Sequence, residues 1–231
     1  MSQNTSKKIK KLAPSCSECG VRNCYRKDKE FPPFCLSREN PDAVAETREL
    51  YSGDSVDGKL ARLAAEVEGE YYGSLTRLEE TIIFAEKLGV RKLGIASCIG
   101  LLDEASLYAN IVRTAGIETR TVICKVGAID KTEIGLEDSL KVCPGCQESC
   151  CNPVLQARTL NDWNSDLNIL VGLCVGHDAL FTRHSKAPAV TLIVKDRVLG
   201  HNPIAALHTA NFYYKRLLKR STFPEPRAKR T

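Results

Sequence analysis

The chain has 231 residues, 43% hydrophobic and 26% charged, with eleven cysteines and a formal net charge of +5. That length suits one α/β core with a small appendage, and no apolar run approaches the ~18–20 residues of a membrane span. The charge sits at the ends: residues 1–15 contribute +4 and residues 215–231 contribute +6, leaving a core of −5. Basic tails without interleaved aromatics read as solvated ends, so nucleic-acid binding is not favoured.

Lys7, Lys8, Lys10 and Lys11 have no apolar stretch behind them, which excludes a secretory signal and points to a cytoplasmic protein. In that setting an odd, large number of cysteines argues for metal binding or thiol chemistry rather than a disulfide framework. Residues 1–15 read as a flexible basic arm, 16–40 as a four-cysteine metal-binding knob, 41–220 as an α/β domain and 221–231 as a basic tail.

The knob carries Cys16, Cys19, Cys24 and Cys35 in the spacing C-x2-C, four residues, C, ten residues, C. A C-x2-C pair sets two thiolates on one knuckle, as tetrahedral zinc ligation at ~2.3 Å requires. Gly20 and Pro32-Pro33 allow the short segment to wrap an ion. A four-thiolate site also suits an iron–sulfur cluster.

A helix is expected from Pro41, with Asn40 as its cap. Apolar residues then recur at helical spacing from Leu60 to Ala85, with a break at Gly73 and a second helix capped by Ser74. Gly89 ends this region and alternation begins. Strands are expected at 92–98, 118–125, 166–174 and 189–195, and helices at 102–115, 153–163, from 178, and 203–220. Strand–helix alternation with short connections predicts an α/β fold, a small parallel sheet of about four strands sandwiched by helices.

Three of the strand-like apolar runs, 93–98, 119–124 and 167–174, end on cysteine. Ligands of open parallel sheets bind outside the carboxyl ends of the strands. Cys98, Cys124 and Cys174 are therefore expected to converge on one pocket. Cys151-Asn152-Pro153 opens a helix, whose N-terminus favours a thiolate, and Cys151 is the fourth expected ligand. Each of these cysteines alone could be a small core hydrophobe. His177 and His201 follow strands and are the candidate catalytic histidines. Cys143-Pro144-Gly145-Cys146 and Cys150 give ferredoxin-like spacing only in part.

Several strings resemble those of a prokaryotic "uncharacterised metal-binding protein" family, a domain of unknown function. They are Cys98-Ile99-Gly100, Cys124-Lys125-Val126-Gly127, Cys151-Asn152-Pro153 with Gln156-Ala157 and Leu160-Asn161, Gly172 to Asp178, and Lys195-Asp196-Arg197-Val198 with His201-Asn202-Pro203. The resemblance runs from about Cys16 to Leu218 and implies metal binding. Cys143, Cys146 and Cys150 lie outside its pattern.

The leading expectation is a cytoplasmic metalloprotein with a zinc knob and a second centre, zinc or a 4Fe–4S cluster, on Cys98, Cys124, Cys151 and Cys174. Its partners would be metal ions, with a small-molecule substrate or a redox partner. A metal-free thiol enzyme using Cys174 or Cys151 with His177 or His201 is the first alternative. A non-enzymatic module binding protein or nucleic acid is the second. The chain has no G-x-G-x-x-G, Walker loop, H-E-x-x-H or G-x-S-x-G, so nucleotide, zinc-protease and serine-hydrolase readings lack a foothold.

Overall fold

The computed structural model describes residues 15–225; most of the basic N-terminal arm and the end of the C-terminal tail lie outside them. The chain divides into two compact units, with the boundary between residues 65 and 66. The first unit is short helices and loops. It contains a 3₁₀ turn (Cys16–Glu18), α1 (Asn23–Arg26), α2 (Leu36–Glu39), α3 (Pro41–Ser52) and the start of α4 (Val56–Tyr71). Pro41 opens α3 behind Asn40, as its fixed φ favours. Arg62 of α4 donates to the carbonyls of Tyr51 and Gly53, closing the turn between α3 and α4.

The second unit continues with α5 (Arg77–Leu88), β1 (Lys92–Ser97), α6 (Leu102–Thr114), β2 (Glu118–Ile123), α7 (Pro153–Asp162), β3 (Leu167–Val171), α8 (His177–His184), β4 (Ala189–Ile193) and α9 (Ile204–His208). Its sheet is wholly parallel with order β2-β1-β3-β4. This is the expected α/β architecture, with four strands and helices on both faces.

Alternation along the strands assigns those faces. Leu93 and Ile95 of β1 pack with Leu167, Ile169 and Val171 of β3 against Ala105, Ala109 and Val112 of α6 and Ala85 of α5. On the other side Ala96, Leu170 and Val122 meet Ala157 and Leu160 of α7 and Phe181 of α8. Gly94 has no room for a side chain, because a Cβ there would lie 2.1 Å from Asn168 Oδ1 and 2.8 Å from Leu160 Cδ1. Thus α7 can seat directly on the sheet.

Three expectations need correction. The second helix of the 60–85 region is capped by Thr76, whose hydroxyl accepts from Glu79 N in a capping box, not by Ser74. The third strand stops at Val171, because Gly172 takes φ 65° and turns the chain out of the sheet. The helix expected at 203–220 is only α9, followed by turns and 3₁₀ segments, with Phe212 and Tyr213 exposed. Apolar residues at helical spacing there bury no face, and a helix without tertiary packing is marginal. Among the described residues, no helix is long and apolar enough to cross a membrane.

A candidate metal centre at the sheet edge

The sheet order creates a crevice. The chain steps from β1 to β2 in one direction along the sheet through α6. It then returns past β1 to β3 through α7, and continues to β4 through α8. Right-handed crossovers that reverse direction must change faces, and α6 lies on the opposite face from α7 and α8. The carboxyl ends of β1 and β3 therefore form the topological switch point, where open α/β sheets hold ligands.

Cys98 follows β1 directly, and its N–H donates to Val171 O of β3 at 3.0 Å. Cys124 follows β2 and its N–H donates to Ser97 O at 2.8 Å. Both are buried on the α7 face. Cys124 O in turn accepts from Asn152 N at 2.7 Å, which pins the entrance of α7 to the end of β2. Asn152 caps that helix through Leu155 N at 3.0 Å, with Pro153 in its first turn. This places Cys151 at the α7 N-terminus beside Cys124.

Cys174 lies beyond the end of β3, on the turn that Gly172 begins. Gly172 cannot be replaced by a larger residue without movement: a Cβ would lie 2.0 Å from Leu101 Cδ1. Cys174 O accepts from His177 N at 2.9 Å and Asp178 N at 3.2 Å, starting α8. The outcome is a tight trio. Cys151, Cys174 and His177 each offer a ligand atom, all within 4.8 Å of one another, and all three residues are half-buried. His177 Nδ1 is buried without a hydrogen-bond partner, an orphan in a place where polar atoms are normally satisfied.

Electrostatics favour thiolate here. The Cys124 thiol hydrogen-bonded to Cys151 holds the Cys151 thiol down at about 5, with Lys125 and His177 assisting against burial. Cys124 is pushed up by the same contact and by burial. Its sulfur also faces Ile99 N at 3.4 Å. Arg197 Nη2 donates to Cys174 Sγ at 2.9 Å. Two sulfurs and an imidazole form a donor set for a borderline-soft ion and leave a tetrahedral ion one open position.

His201 is engaged elsewhere. Its Nδ1 accepts from Asp196 N at 3.1 Å and its N–H donates to Asp196 O at 3.0 Å, so it staples its own loop. Sequence reasoning gave Gln156 no role in the site. It is fully buried, and its Nε2 donates to Ser97 O at 3.1 Å and Val122 O at 2.7 Å, tying α7 to the ends of β1 and β2. Its signals were a polar residue on an otherwise apolar helix face and its place in the string Gln156-Ala157, which shares in the family resemblance.

In the first unit, Cys16, Cys19, Cys24 and Cys35 all line one cavity of about 80 Å³ together with Phe31, Pro32 and Phe34. Arg22 N points at Cys19 Sγ at 3.4 Å. Among the described residues, the only trio of cysteine, histidine or carboxylate groups close enough to share an ion is that of Cys151, Cys174 and His177. Cys143 and Cys146 are joined as a disulfide, against the expectation that the cysteines serve metal or thiol chemistry instead, and Cys150 is buried and free.

Comparison with known proteins gives two matches. The model of a family described as "Protein of unknown function (DUF1847)" matches residues 35–192. The "Uncharacterized protein MJ0455" of Methanocaldococcus jannaschii is 42% identical over 205 residues, covering 88% of this chain and 98% of that protein. With more than half of its length matched and a relative of this identity spanning nearly all of it, the chain belongs to the DUF1847 family of cysteine-rich proteins.

Proposed function

We propose that this protein is a metalloprotein whose principal centre lies at the switch point, on Cys151, Cys174 and His177. The observation that carries this reading is the buried, unpartnered Nδ1 of His177 in a residue whose ring and two sulfurs lie within 4.8 Å of one another. Sulfurs in such proximity repel as thiolates unless a cation shares them, and Arg197 donates to Cys174. A zinc ion so held would keep one position open and supply Lewis acidity to a small bound molecule. The protein's own groups have separate tasks. Gln156 and Asn152 fix the α7 entrance, Lys125 and Arg197 offset thiolate charge, and Cys124 retains a proton beside Cys151. For the four cysteines around the first unit's cavity we infer a second, structural zinc site, which requires their sulfurs to draw together around the ion.

The same reading admits a 4Fe–4S cluster if Cys98 and Cys124 join Cys151 and Cys174 as ligands, since Cys124 touches Cys151 and feels the charge of Cys98. A second reading, a metal-free thiol enzyme with Cys151 as nucleophile, is favoured by the position of Cys151 at the α7 N-terminus beside His177.

Anaerobic purification with zinc, iron and acid-labile sulfide analysis separates these readings. Zinc without sulfide supports the mononuclear centre, and stoichiometric iron and sulfide support the cluster. Replacing Cys174 by Ser keeps the volume and weakens a soft ligand. We expect Cys174→Ser to remain folded and to lose one centre's metal while the other is retained. Unchanged total metal in that variant would overturn the proposal.

A further inference from the structure

Residues 129–149 contain no strand or α-helix, yet charged side chains shape them closely. Asp130 accepts from Thr132 N and Glu148 N, both at 2.8 Å, and pairs with Lys141 at 2.8 Å. Lys141 also pairs with Asp138 at 2.9 Å and donates to Cys146 O at 3.0 Å. The second oxygen of Asp138 accepts from Gly145 N at 2.7 Å. Glu148, paired with Lys131, accepts from Val142 N at 2.7 Å and Cys143 N at 3.0 Å.

These bonds converge on one tight turn, Cys143-Pro144-Gly145-Cys146. Gly145 supplies the left-handed φ of 78°, and Cys146 N donates to Cys143 O at 3.2 Å. The two cysteine Cα atoms lie 5.6 Å apart, inside the window that a disulfide spans, and both residues are exposed. None of the hydrogen bonds that shape the turn uses a sulfur. The scaffold is therefore the same for a dithiol and for a disulfide, and the entropic cost of bringing the sulfurs together is already met by the loop.

We propose that Cys143 and Cys146 are a redox-active dithiol–disulfide pair that reduces disulfides of other molecules. This site is separate from the metal centre and does not depend on it. In the exchange, one thiolate of the pair attacks a substrate sulfur. The substrate S–S bond breaks, a mixed disulfide forms, and the first thiolate leaves and takes up a proton. The second cysteine then attacks the mixed disulfide at the protein sulfur, forms the Cys143–Cys146 bond and releases the second substrate thiolate, which is protonated in turn. Two electrons pass from the pair to the substrate, and a dithiol reductant restores the reduced pair.

The direction follows from the charges. The ammonium of Lys141 is shared between two carboxylates, and the Glu148 carboxylate accepts from Cys143 N. The reduced pair thus lacks the thiolate stabilisation that makes a disulfide a strong oxidant.

The test uses the full chain equilibrated with glutathione and its disulfide, acid-quenched, alkylated and read by mass spectrometry of the 143–146 peptide. We expect a two-state exchange between dithiol and disulfide, with mixed glutathione species below about a tenth, as a pre-closed loop dictates. Cys146→Ser should trap a glutathione adduct at Cys143. Glu148→Gln, which weakens two of the supporting bonds, should lower the effective concentration of the pair by about tenfold. Two substrate arms, glutathione disulfide and the insulin disulfides with dithiothreitol as reductant, identify whether small-molecule or protein disulfides are used. A bridge that resists millimolar dithiothreitol in the folded protein would make it a structural crosslink and overturn the proposal. So would independent glutathionylation of the two cysteines, zinc retention by the reduced pair, or no reduction of either substrate.

Discussion

Replacing Gln156 tests whether the ends of β1 and β2 are held by one buried amide. In the native protein Gln156 Nε2 bonds Ser97 O and Val122 O, while Oε1 is buried without a partner. Gln156→Ala removes both donors. Ser97 O keeps Cys124 N and Val122 O keeps its ladder partner Ser97 N, so neither acceptor is orphaned and the two lost bonds cost about 1–3 kcal/mol together. The space left beside Leu160 and Ala157 adds a cavity cost of similar size, and relief of the unpaired Oε1 returns a part. The net expectation is a loss of about 2–4 kcal/mol. Gln156→Met fills the space without the polar ends and should cost only about 1–2 kcal/mol. The chain has a single tryptophan, Trp163, buried at the α7 C-cap, so its fluorescence follows this unit during urea unfolding. With m-values near ~2 kcal/mol/M, the alanine variant should shift the midpoint by about 1–2 M. A shift under about 0.2 M for both variants would refute the role of this amide.

Gly172→Ala should destabilise by about 2–4 kcal/mol, since it combines a left-handed φ with a Cβ 2.0 Å from Leu101 Cδ1. Leu101→Ala is itself costly because Leu101 is buried, but it should cost less in the Gly172→Ala background than in the native one, and an unchanged urea midpoint in Gly172→Ala would disprove the packing argument. The 129–149 loop should respond to acid. Asp130, held down mainly by Lys141 and by N–H donors, Asp138, held down mainly by Lys141, and Glu148, held down mainly by Lys131, all titrate below their ordinary range. A depressed carboxyl contributes stability that is complete above its unfolded value and lost as pH falls through the folded one. Hydrogen-exchange protection of this loop should hold at neutral pH and decline below about pH 4; protection that increases on acidification would contradict the ion-pair scaffold.

Strands β1 and β3 were legible because fully buried parallel strands are near-continuous apolar runs, as 93–97 and 167–171 are apart from Ser97 and Asn168. Strand β2 alternates instead and buries Val122, and in both cases the placement of the cysteine just after the strand, Cys98 after β1 and Cys124 after β2, could be read directly. The switch point could not. It depends on β3 pairing with β1 instead of β2, a non-local choice that no local pattern encodes. Cys174 reads as a strand end in the sequence because Leu173 is apolar, and only the left-handed Gly172 shows that the chain has already turned away. His177 was legible as a candidate site histidine, but its grouping with Cys151 and Cys174 was not, since that depends on where α8 starts relative to the α7 entrance.

The register of the sheet also sets when the two groups of thiols can come together as the chain folds. Cys16 to Cys35 are neighbours within one short segment, and closing so small a loop is fast. The crevice at the end of β1 exists only after Leu93 has found Leu167, roughly seventy residues away, and parallel pairings of that separation form late. During synthesis the N-terminal cysteines can therefore gather while β3 is still unmade, whereas Cys98 and Cys124 wait as separate, accessible thiols. If both proposed sites take a metal, one supplied to the nascent chain would meet the N-terminal set first, and loading of the crevice would be a step of the folded protein.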